Sequence, residues 1–164
     1  MREFSDSEGK KWTIALTIGV AKRVKDLIGV DLLDLHNGEP PMITRLGTEI
    51  ILVIDVVCAC VRPQLAAADM SDEDFAARLG GAAAKAAVDA FFEELADFTL
   101  SIGLLADARA LARLREALAR EAKTKAALVD RIDMNGIIAK GKAEAEKELK
   151  DHGLLSTEAP ESSE

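Results

Sequence analysis

The chain has 164 residues, a length typical of one domain with room for an appendage, and its hydrophobic content of 49% is aliphatic, since aromatics make up 4% and there is no tyrosine. With alanine abundant, the packing must come from closely approaching helices. The net charge of −8 is concentrated in residues 63–104, where 2 Lys+Arg face 8 Asp+Glu; an acidic chain without a basic stripe lacks the phosphate-neutralising contacts on which nucleic-acid affinity depends, so that function is set aside.

The opening Met1-Arg2-Glu3-Phe4-Ser5-Asp6-Ser7-Glu8 has no apolar signal region, and a reducing cytoplasm is the expected location. Arg2 to Phe4 and Lys11 to Gly19 flank a cluster of turn formers over residues 5–10. In the second stretch Trp12, Ile14, Leu16 and Ile18 alternate with Lys11, Thr13, Ala15 and Thr17, the period of a half-buried strand. The pair reads as a β-hairpin with Gly9 at positive φ, and since a two-stranded hairpin is marginal alone, the Trp12 row must lie on helices or join another strand. Val20 to Ile28 switches to helical spacing and ends at Gly29, a good C′ residue. Val30 to Leu35 fits either a short strand or a helical turn with Asp31 as N-cap, and residues 36–41 read as a loop.

Between Pro40-Pro41 and Pro63 lies the most apolar stretch, Ile50 to Val61. It is too short to span a bilayer, which takes about 20 residues, and carries Asp55 at its middle. A central buried helix over Met42 to Arg62 is predicted, although the β-branched content also suits a strand. Cys58 and Cys60 would stand about 200° apart on that helix, which separates them for disulfide or metal chemistry and leaves two buried thiols. No metal or cofactor is expected.

Past a connection over Pro63 to Met70, Ser71 is an N-cap with Asp72, Glu73 and Asp74 in the first turn of a short helix running to Leu79. Ala82 to Leu100 is plainly amphipathic. Val88, Phe91, Phe92, Leu95 and Phe98 form its stripe, while Asp89, Glu93 and Asp97, with no histidine beside them, read as solvated surface. After Ser101-Ile102-Gly103, a long helix runs from Leu105 to about Ile132 with Glu116–Arg120 and Glu121–Lys125 as i, i+4 pairs. Asn135-Gly136 is expected to break it before a second helix, Ile137 to Lys150. Residues 156–164 are too polar and acidic to order themselves. His36 and His152 stand alone, and no catalytic constellation is legible.

The expected fold is therefore α+β and mostly α, an N-terminal β-hairpin packed on a small helical bundle with extended C-terminal helices. The expected division is residues 1–103, a helical segment 104–152, and a disordered acidic tail 153–164.

Arg2 to Gly9 followed by Trp12 to Gly19, then Ala21-Lys22-Arg23-Val24-Lys25 and Gly29-Val30-Asp31-Leu32-Leu33-Asp34, resembles the N-terminal region of phage and prophage tail assembly chaperones. Ser71-Asp72-Glu73-Asp74-Phe75 and Phe91-Phe92-Glu93-Glu94-Leu95 fit the same pattern, so the resemblance covers roughly residues 2–100. It implies a non-enzymatic protein of the bacterial host cytoplasm that coats the tape measure protein of a long-tailed phage until the tail tube polymerises. The Ala-rich C-terminal part departs from that pattern. Its helices either complete an intramolecular bundle or offer apolar surface to a helical client, with Leu111, Leu114, Leu118, Ile132, Ile137 and Ile138 as the candidate contacts. The alternative functions are a structural tail or connector component, or a generic helical interaction module. The expected partners are the tape measure protein or another tail protein, with self-association as a further option and neither nucleic acid nor membrane.

Overall fold

The computed structural model describes residues 1–130 and 134–152. β1 (Arg2–Ser5) and β2 (Lys11–Ile14) pair antiparallel with Phe4 opposite Trp12. Gly9 takes φ 82°, as the turn requires. Asp6 locks the turn from inside, accepting hydrogen bonds from the backbone N–H of Glu8 at 3.0 Å and of Lys10 at 2.9 Å, and from Trp12 Nε1 at 3.0 Å. The alternation outlasts the strand: Trp12, Ile14 and Leu16 are all buried, and the Leu16 N–H donates to Glu94 Oε1 at 3.0 Å. Ile18, the expected fourth member of that row, is exposed. Thr17 caps a helix there, α1 (Ile18–Ile28), its hydroxyl accepting from the Val20 N–H, so the chain turns helical two residues before the pattern predicts.

Gly29 closes α1 in the left-handed region at φ 73°. Residues 31–35 are neither strand nor helix. Asp31 Oδ1 accepts from the Leu33 N–H at 3.0 Å, a local side-chain turn that competes with regular structure while Val30, Leu32 and Leu35 drop into the core.

The helix expected over Met42 to Arg62 is two helices, α2 (Met42–Thr48) and α3 (Ile50–Ala67), separated at Glu49 with φ −104° and ψ 85°. α3 also runs through Pro63 rather than stopping at it. An interior proline costs a helix about 3 kcal/mol. Against that, the turn beyond it buries Leu65 and presents Gln64, whose amide accepts from the Thr13 N–H at 3.1 Å and donates to the Thr13 carbonyl at 2.7 Å. α3 is long and apolar enough to cross a membrane by length and composition. Here it is the central post of the fold, in contact with α1, α2, β2 and the two helices that follow.

α4 (Asp72–Ala77) starts at the expected cap, with Ser71 Oγ accepting from the Asp74 N–H at 3.0 Å. Its Phe75 is fully buried beneath the hairpin, its ring 4.9 Å from Trp12 and 6.3 Å from Phe4. α5 (Ala82–Ser101) buries Phe91, Phe92, Leu95 and Phe98, as its stripe predicts, with Val88 half-buried. α6 (Leu105–Asp130) follows, and α7 (Met134–Asp151) begins early enough that Asn135-Gly136 lies inside it rather than breaking a helix.

The chain is thus an α+β protein, mostly α, with an N-terminal hairpin on a helical bundle. It forms two compact units, Met1–Arg120 and Glu121–Glu164. The boundary placed after residue 103 falls inside the first unit, because Leu111 is buried in its core and Leu114 and Leu118 pack against that core. The approach is close: a Cβ on Gly47 of α2 would meet Leu114 Cδ1 at 2.7 Å. In the second unit, the side chains at 121–128 and 138–152 are all exposed. The expected acidic tail, 153–164, lies outside the described residues.

Candidate functional site

Of the six expected partner contacts, Leu111, Leu114 and Leu118 belong to the Met1–Arg120 unit and are buried or half-buried there. Leu111 is fully buried and is a core residue, which corrects its reading as an offered contact. Leu114 and Leu118 are half-buried against the same core, so burial within the unit has already used most of their apolar area. Ile132 lies outside the described residues. Ile137 falls in the opening turn of α7, and Ile138 beside it is 51% exposed. Two apolar positions outside that set, Leu128 at 62% and Leu149 at 40%, are exposed as well. Spacing on a helix shows which residues share a face, but not where along the helix its cover ends.

Polar groups inside the first unit serve structure. Glu94 is buried, faces the Met1 amino group and holds the Leu16 N–H. His36 Nε2 stands 2.8 Å from Asp107 Oδ1, tying the loop after residue 35 to the first turn of α6. The row on α5 is ion-paired: Asp89 with Lys85, Glu93 with Arg115 at 2.7 Å, and Asp97 with Arg2 at 2.6 Å. Among the described residues no group of three His, Cys, Asp or Glu side chains could hold a metal ion. Cys58 and Cys60 are buried and unbridged. Burial pushes both thiols up to about 12, and at Cys58 the Asp72 and Asp55 carboxylates add to that rise.

A concave surface lies along α3, in a position the sequence did not mark. Three clefts follow one another there. The first, about 500 Å³, is bounded by Thr48 to Leu52 and Asp55. It shares Asp55 with a second of about 370 Å³, walled by Leu27 and Ile28 of α1 and by Asp72, Glu73 and Ala76 of α4. That one shares Arg62 and Asp72 with a third of about 270 Å³ at Leu65, Ala66 and Met70. At the open end Ile50 and Ile51 are 53% and 71% exposed on the most apolar helix of the chain.

No protein family, curated protein or solved structure matches the chain.

Proposed function

We propose that this chain is a non-enzymatic tail assembly chaperone of a long-tailed phage, acting in the host cytoplasm and holding the tape measure protein in solution before the tail tube forms. The resemblance of residues 2–100 supports the family. The observation that carries the role is the second unit: α7 and the end of α6 present exposed side chains throughout 121–128 and 138–152, with Leu128, Ile138 and Leu149 among them. Helices without tertiary cover are marginal in water, because most helical stability in proteins comes from packing one face. A long helical client laid on them supplies that cover. Each Leu or Ile it buries contributes about 1.5–3 kcal/mol of gross transfer energy. Several copies along a filamentous client then hold it by multivalency, although any one contact is weak.

The test is co-expression with the cognate tape measure protein, comparing the full chain with a Leu128→Ser/Ile138→Ser/Leu149→Ser variant. The wild-type chain is expected to keep the client in the soluble fraction and the triple variant to lose it, with the melting of the Met1–Arg120 unit unchanged. A triple variant that keeps the client equally soluble overturns this surface, and a wild-type chain that never solubilises the client overturns the function.

A further inference from the structure

From the shape and charge of the three continuous clefts along α3, we infer that they form one groove that docks a cationic amphipathic helix from a partner protein. The groove follows an 18-residue helix, about 27 Å at 1.5 Å per residue. Ile51, Asp55, Cys58 and Arg62 succeed one another at i, i+4, i+7 and i+11, a single line along its floor. Leu27 and Ile28 wall one side and α4 the other.

A helix fits this trough better than a strand. Helices α1, α3 and α4 offer side chains rather than unpaired backbone groups, so an extended peptide would find no ladder to join, whereas an apolar helical stripe finds Ile50, Ile51 and Leu52 at one end and Ala66 and Met70 at the other.

The charge sets the chemistry of the occupant. Asp55, Asp72 and Glu73 line the middle cleft against the one cation Arg62, and none of the four belongs to an ion pair among the described residues. Glu49 at the open end is already matched by Arg45 at 2.9 Å. The groove therefore carries surplus negative charge beside apolar surface, which favours Lys or Arg flanking a Leu-type stripe. The chain's own α7 lacks the surplus positive charge this groove favours, since Lys140, Lys142, Lys147 and Lys150 are matched in number by Glu144, Glu146, Glu148 and Asp151.

The probe is a fluorescein-labelled amphipathic peptide of about 18 residues, one groove length, with leucines at i, i+3, i+4 and i+7 spacing and flanking lysines. A second peptide carries glutamate in place of each lysine. Fluorescence anisotropy with the full-length chain is expected to show binding of the lysine peptide, weakened by added NaCl, and none of the glutamate peptide. Asp55→Asn/Glu73→Gln is expected to weaken the lysine peptide roughly three- to tenfold, the scale of two exposed ion pairs. Ala76→Trp, which fills the cleft from an exposed position on α4, is expected to abolish binding without lowering the thermal midpoint. Equal affinity for both peptides, or wild-type affinity in the charge variant and in Ala76→Trp, overturns the groove. The Leu128→Ser/Ile138→Ser/Leu149→Ser variant is expected to bind the peptide as wild type does, so this inference and the chaperone reading fail separately.

Discussion

Replacing Leu111 with alanine trims an isobutyl group to a methyl in the interior of the Met1–Arg120 unit, at a position with no exposed surface. Such substitutions cost about 2–5 kcal/mol, the spread reflecting how far the surroundings collapse into the space. Collapse is restricted here. One turn further along α6, Leu114 already sits so close to the α2 backbone that a Cβ on Gly47 would meet it at 2.7 Å, which keeps α2 and α6 from closing further. The lower end of the range is thereby excluded, leaving about 3–4 kcal/mol, and at about 4 °C per kcal/mol for a unit of this size the melting midpoint falls by about 12–16 °C. Circular dichroism melts of wild type, Leu111→Ala and Leu128→Ala check it, the last being an exposed leucine of the same helix and expected within about 0.5 kcal/mol of wild type. A Leu111→Ala chain melting within about 2 °C of wild type would show that the first half of α6 is an appendage rather than part of the core.

Asp6 should give the fold an acid-sensitive step. Burial alone would raise its carboxyl, but hydrogen bonds from Trp12 Nε1 and from the Lys10 and Glu8 N–H groups, with the Arg78 charge, hold it below its ordinary 3.8. It therefore binds its proton less readily folded than unfolded, and its contribution is complete above 3.8 and lost as the pH falls through the lower folded value. Asp6→Asn, which loses acceptor capacity facing three donors, is expected to cost about 1–3 kcal/mol at pH 7 and less well below pH 3.8, as read from urea midpoints. A gap of the same size at both pH values would refute this. Cys58 and Cys60, pushed up to about 12, should scarcely react with a thiol-specific disulfide reagent at pH 8 in the folded protein, and both should titrate in guanidinium. Rapid stoichiometric labelling of the folded chain would show that burial does not hold both thiols protonated at that pH.

What the sequence discloses about this fold is local. The Trp12, Ile14, Leu16 row, the glycine that ends α1, the Ser71 cap and the aromatic stripe of α5 each depend on a few adjacent residues, and each appears where its pattern places it. The break at Glu49 has no proline to announce it, and Gly47, two residues earlier, still lies within α2. Pro63 announces a stop that packing overrides, because Leu65 and Gln64 find partners only by continuing the helix. Asp6 reads as one more turn former until its three donors are seen converging on it. The surface along α3 is equally hidden, since its walls come from α1 and α4 and its charge from residues as far apart as Asp55 and Glu73. The C-terminal contacts divide for a similar reason: one leucine row on α6 begins inside a core and continues beyond it.

The clasp between Gln64 and Thr13 bears on how this protein behaves at high concentration. A two-stranded sheet has two open borders, and an unpaired N–H beside an unpaired carbonyl invites the backbone of a neighbouring chain to add itself as a third strand. Thr13 turns both of its backbone groups away from β1, and the Gln64 amide, which has the same donor and acceptor as a peptide unit, occupies them both. A side chain fifty-one positions away thus stands in for one residue of an absent strand. At Thr13 the β2 border is occupied by a single glutamine, which leaves a neighbouring copy no free N–H and carbonyl to pair with at that position.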